Sequence, residues 1–324
     1  MKLTFYKTAL NILLRMPNWF FAALFIVAFP IYKALHQKRA YGRTVAHLQK
    51  ARAFRGFTAK CTADDVFRGI YWNAIDSYRG LARLKRTTDR IVYENENVMM
   101  EALTRSKSSD GTPLPLAAIS IHQGAFELLH RSLCRYSDNV HLITDSVGDE
   151  ATRQLLKELR SDEHLTEYHP DELSQLLRNL FAPPAKLNKK GNAILAMVVD
   201  QGRHTKGCTE TLFGMPSTLY LRLPEKVNQM GAGIVTFRTF TRAASNCEGF
   251  REKGCRGNQH RGKNEIVIRF ETYYPPKFDQ RNNSTDQIKI SGTSLTSSIA
   301  KEIENWISEN PSEWSWNYHG NFRV

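Results

Sequence analysis

Four runs of apolar residues constrain this chain more than any other feature. They are "LPLAAISI" (114–121), "NAILAMVVD" (192–200), "GAGIVTFRTF" (231–240) and "EIVIRFETYY" (265–274). The first two show no alternation of polar and apolar residues. A strand of that kind is buried on both faces, the condition of strands inside a mostly parallel sheet. Between and around these runs lie segments of helical spacing: "FELLHRSLC", "DEATRQLLKELR" and "DELSQLLRNLF". "NVHLIT" and "RIVYE" read as shorter strands. Thr62 and Asp65 read as a capping box opening a helix whose apolar positions include Val66, Ile70 and Ile75. Helices are also expected from Glu96 to Arg105 and from about Ser294 to Ser308. Strands alternating with helices predict an α/β fold, with a mixed, mostly parallel sheet flanked by helices.

The first 63 residues differ from the rest. They hold no Asp or Glu and carry Lys2, Lys7, Arg15, Lys33, Lys38, Arg39, Arg43, Lys50, Arg52, Arg55 and Lys60. Within them "WFFAALFIVAFPIY" (19–32) is uncharged. Over the whole chain the net charge is +13. Basic residues flanking an apolar, Trp-bearing block suit an anionic membrane surface. Nucleic acid would account for the charge but not for the block, so no nucleic-acid partner is expected. A spanning helix needs roughly 20 apolar residues. The block therefore reads as a short span, as an interfacial helix, or as a signal peptide lacking a clear A-x-A cleavage site. If it spans, the basic cluster after Tyr32 puts the main domain on the cytoplasmic side. Two regions follow: an N-terminal membrane-anchoring helical region over 1–60 and a catalytic domain over 61–324. Cysteines 61, 134, 208, 247 and 255 form no C-x-x-C pair and read as reduced thiols.

Two of the apolar runs end on ionisable residues, His122 and Asp200. Sites in open α/β sheets gather at such strand ends. In "HQGAFE", Gly124 permits a turn that a side chain would obstruct, and Glu127 falls near the start of a helix. A carboxylate aimed back at His122 would fix its tautomer through Nδ1–H and leave Nε2 as a general base. Backbone N–H groups at the helix start would assist a developing oxyanion. No serine or cysteine nucleophile follows the strand, which suits a base acting directly on a hydroxyl. The competing reading is a structural histidine beside a helix-start glutamate. The spacing is not that of the H-E-x-x-H zinc site, and neither metal nor cofactor is expected.

"HQGAFE" after an apolar strand resembles the H-x4-D/E motif of the glycerolipid acyltransferase superfamily. "VVDQGRHTKGCTETLFGMPST" resembles a second block of the bacterial lipid A biosynthesis acyltransferases, matched by Asp200, Gln201, Gly207, Phe213, Gly214, Pro216 and Ser217. "NPSEWSWNYHG" resembles that family's Pro-x-x-Trp-x-Trp-x-His ending, through Pro311, Trp314, Trp316 and His319. The resemblance implies a glycerolipid acyltransferase-like fold. It also implies transfer of a fatty acyl chain from acyl carrier protein or acyl-CoA to a hydroxyl of a membrane glycolipid, a lipid A precursor, at the cytoplasmic face of the bacterial inner membrane. His122 and Glu127 would be catalytic. Gly124, Asp200, Gln201, Arg203, Lys206 and Gly207 would bind substrate. The family commonly carries an Arg shortly after the strand that follows this helix. Here Thr144 and Asp145 stand there, and Arg153 is the nearest substitute. The basic stretch 241–264 is longer than the resemblance leads one to expect. Acceptors such as a lysophospholipid, an aminolipid or a mannosylated phosphoinositide stay open, as does a non-catalytic membrane scaffold. The closing tryptophans are expected in core or membrane-facing packing.

Overall fold

The structure, a computed structural model, describes residues 2–54, 56–83, 91–144, 149–183, 191–201, 207–243, 264–277 and 294–316. In chain order the elements begin with helices α1 (Lys2–Leu14), α2 (Asn18–His36), α3 (Gly42–Ala53) and α4 (Ala63–Leu81). Then come β1 (Ile91–Glu94), α5 (Glu96–Arg105), β2 (Leu116–Ser120), α6 (Leu129–Leu133), β3 (Val140–Ile143), α7 (Glu150–Arg160), β4 (Leu165–Tyr168) and α8 (Leu173–Leu180). The chain continues through β5 (Ile194–Val198), β6 (Cys208–Leu212), β7 (Met215–Leu219), α9 (Arg222–Gln229), β8 (Gly233–Ala243), β9 (Asn264–Tyr274) and α10 (Leu295–Glu309).

Seven strands form one sheet in the order β1-β9-β8-β2-β5-β3-β4. Every pairing in it is parallel except β8 with β9. The fold is therefore α/β, with a mostly parallel mixed sheet flanked by helices. Alternate residues of β2 enter opposite cores. Ala117 and Ile119 pack in the cluster that contains Ile299, Ile303 and Trp306 of α10. Leu116 and Ala118 pack in the cluster that contains Met99, Ala102, Leu129 and Leu133. This two-sided burial is why the run lacks polar alternation.

The capping box is present: Thr62 Oγ1 accepts from Asp65 N, and Asp65 Oδ2 accepts from Thr62 N. Strand β4 was not expected from the sequence; it lies at the sheet edge, where one-sided burial leaves a mixed pattern. The "TLFGMP" segment is the tip of a two-stranded hairpin, β6–β7, with Phe213 and Gly214 both at positive φ. That is the conformation a tight hairpin turn demands. Most of the basic stretch 241–264 lies outside the described residues, as do Cys247 and Cys255.

The N-terminal region is helical. It contains the one helix, among the described residues, long and apolar enough to cross a membrane.

Candidate functional site

Strands β2 and β5 are neighbours, paired in parallel with Ser120 opposite Val198. Two residues further on, that register brings His122 opposite Asp200. The contact is close: His122 Nδ1 lies 2.7 Å from Asp200 Oδ1. The backbone N–H of His122 donates to the same carboxylate at 3.1 Å. Trp314 Nε1 donates to Oδ2 at 3.0 Å. Asp200 is wholly buried, whereas the His122 side chain keeps 18% exposure. A buried carboxylate accepts from Nδ1–H, so the ring proton sits on Nδ1 and Nε2 carries the free lone pair. Phe126 meets the imidazole edge-on, with ring centroids 4.6 Å apart.

This corrects the sequence reading of Glu127. Its carboxylate does not bond His122 but takes a two-point grip from Arg160, with Nε to Oε2 and Nη2 to Oε1 both at 2.9 Å. Burial acts to raise the Glu127 carboxyl. The Arg160 charge and hydrogen bonds outweigh it, so its pKa is held below the usual carboxylate value. The charges of His130 and His122 add smaller contributions of the same sign to the Glu127 carboxyl.

Arg153 is corrected too. It is exposed and pairs with Glu150 in the first turn of α7. Arg160, at the other end of that helix, is the arginine that reaches the site, and it also donates to Thr144 Oγ1 at 3.2 Å. Asp200 is corrected from a substrate contact to the buried partner of His122.

Gly124 has φ +59°, and a Cβ there would lie 2.5 Å from the carbonyl oxygen of Thr239. Replacing Gly124 by Ala should therefore cost about 1–3 kcal/mol of stability, read by chemical denaturation. An unchanged midpoint would contradict the strained turn. Gly207 is a packing glycine: its absent Cβ would overlap Thr218 and the Leu219 carbonyl. Arg203 and Lys206 lie outside the described residues.

A cavity of about 900 Å³ is lined by His122, Glu127, Arg160 and Gln201 together with apolar side chains such as Ile70, Leu142, Leu173 and Phe237. That size and character suit an organic ligand with a long apolar part. Arg222 and Lys226 of α9 also line it. The sequence reading missed them; their helical spacing of four residues was the available signal.

His130 lines the same cavity. Burial pushes its pKa down to about 4, against the opposing pull of Glu127 and with help from Arg160 and Arg131. In the unfolded chain it would titrate near 6.5. Between these values the unfolded state binds the proton and the folded state does not. Stability should therefore fall as pH drops from about 6.5 to about 4, by about 3 kcal/mol from this residue. His47, also lowered mainly by burial, adds loss of the same sign. His130→Gln should flatten the stability profile in that window; an unchanged slope would refute the assignment.

Among the described residues no cluster of three His, Cys, Asp or Glu side chains forms a metal site. No protein-family model matches the chain, and no curated protein matches it.

Proposed function

We propose that this chain is a membrane-bound O-acyltransferase that moves a fatty acyl group from a thioester donor to a hydroxyl of a membrane lipid. The observation that carries the reading is the His122–Asp200 pair facing a largely apolar cavity. Asp200 holds the imidazole in the tautomer whose Nε2 is basic. In the reaction Nε2 takes the proton of the acceptor hydroxyl as its oxygen attacks the thioester carbonyl. The tetrahedral adduct collapses, the C–S bond breaks, and the imidazolium returns its proton to the departing thiolate. The apolar walls accept the acyl chain. Arg222 and Lys226 supply positive charge suited to a phosphorylated substrate.

The motifs in "HQGAFE", "VVDQG" and "NPSEWSW" make acyl carrier protein or acyl-CoA the donor of choice and a lipid A precursor the acceptor of choice, at the bacterial inner membrane. They support the same chemistry on a lysophospholipid, an aminolipid or a phosphoinositide mannoside. A non-catalytic scaffold would fit the absence of an arginine directly after β3; Arg160, which grips Glu127 at the site, supports the catalytic reading instead.

The test has two arms. Membranes containing the protein are supplied with an acyl-carrier or CoA thioester and total lipid, and thiol release is followed alongside product mass. Lipids of a deletion strain are compared with the parent by mass spectrometry. A lipid lacking one acyl chain in the deletion, restored by the thioester reaction, is the expected result. No thiol release and unchanged lipids would leave the scaffold.

A further inference from the structure

The geometry points to an in-plane anchor: α1 and α2 hold the protein in one membrane leaflet, with α2 lying along the surface rather than crossing it. This rests on the membrane association proposed above, not on the acyl transfer.

Length alone would let α2 cross. Its 19 residues extend about 28 Å, close to the roughly 30 Å hydrocarbon core. The helix is not free to stand upright, however, because it is fixed at both ends to α4. At the first end Arg79, buried, donates from Nε to Leu14 O, from Nη1 to Asn18 Oδ1 and from Nη2 to Met16 O. Its guanidinium also lies over the Phe21 ring. In the middle Tyr71 Oη donates to Phe21 O at 3.0 Å. Phe25 packs on Tyr71, and Phe29 and Tyr32 pack on Phe67. At the far end Asp64 receives Lys33 Nζ at 3.0 Å and Tyr41 Oη at 2.6 Å. The two helices run antiparallel, joined along their length. Helix α1 is tied down separately, through Lys7 to Glu158 of α7.

Helix α4 belongs to the body of the domain; its Ile70, Asn73 and Tyr78 line the cavity. An upright α2 would carry α4 and the sheet behind it into hydrocarbon. Asp64, Asp65 and Arg68 would go with it, against the high cost of charge at that depth. Among the described residues the domain shows no surface to match. Outside the two helices, the large hydrophobic side chains exposed among the described residues are Ile91, Met100 and Met230, scattered over the fold. On α2 they are many, on the side that does not meet α4: Trp19, Leu24, Ile26, Val27, Ile31 and Leu35, and α1 adds Phe5, Ile12 and Leu13. That face has one side to the protein and one to lipid. The cations around it and the absence of Asp and Glu before Asp64 select an anionic leaflet.

The experiment uses the full chain carrying one epitope tag at its N-terminus and another at its C-terminus. Flotation with vesicles of phosphatidylethanolamine and phosphatidylglycerol is measured first. Protease is then added to sealed inverted membrane vesicles and to intact spheroplasts. An in-plane anchor predicts flotation, with both tags lost at similar rates from inverted vesicles and both retained in spheroplasts. Flotation with the N-terminal tag protected in inverted vesicles and lost in spheroplasts would overturn the in-plane anchor and leave membrane association standing. Failure to float would overturn both.

Discussion

Replacing Asp200 by Asn should lower the proposed acyl transfer by about 10³- to 10⁴-fold while the protein stays folded. The carboxylate receives three donors: His122 Nδ1–H, the His122 backbone N–H and Trp314 Nε1–H. An amide has one oxygen for those donors. If it serves the backbone and the indole, its NH2 group faces Nδ1. The imidazole then shifts its proton to Nε2, and the lone pair that should take the acceptor proton is gone. His122→Ala removes the base outright and should cost on the order of 10²- to 10⁴-fold. Glu127→Gln should cost less in rate than either, because that carboxylate bonds Arg160 rather than the imidazole. Initial rates of thiol release, with the melting temperature of each variant recorded beside them, decide the matter. Activity of Asp200→Asn within tenfold of the parent would mean that the His122–Asp200 contact is structural only.

The sequence made the strands visible but not their neighbours. The uninterrupted runs before His122 and Asp200 announced buried strands ending on ionisable groups. Nothing local says that these two strands lie side by side, or that Ser120 stands opposite Val198. That pairing is made by the sheet as a whole, and it alone turns two separate strand ends into one site. The spacing from His122 singles out Glu127 but does not show its partner, for a related reason. The local sequence points to an arginine shortly after Thr144, with Arg153 the nearest. Arg160 arrives instead from the far end of α7, where a helix of 11 residues returns it to the strand ends. Composition marks Trp314 as a packing residue, and it is fully buried. Its indole N–H needs an acceptor once buried, and Asp200 is that acceptor. The N-terminal helices were legible in composition, yet their orientation was not. The anchoring contacts at Arg79 and Asp64 lie up to 65 residues away from their partners.

Arg160→Met should destabilise the protein at neutral pH, by up to about 3–5 kcal/mol, because it leaves Glu127 charged, largely buried and without its guanidinium partner. The pH dependence should change sign as well. In the parent, the Glu127 carboxyl is held below its usual value. Its contribution is present above the unfolded pKa and is lost as pH falls through the folded one. Without Arg160 the burial contribution, the largest, is opposed only by the weaker charges of His130 and His122, and the folded pKa rises above the unfolded value. Glu127 would then favour folding at low pH and oppose it as pH rises past that range. Arg160→Met paired with Glu127→Leu removes the stranded charge and should recover most of the loss, since a buried ion pair and an apolar pair of similar volume are often close in stability. Urea unfolding of the parent, the single and the double variant at pH 5 and pH 8 measures each of these terms. A single variant whose stability changes between pH 5 and pH 8 as the parent's does, or a double variant no better than the single, would show that Glu127 and Arg160 do not depend on each other for their burial.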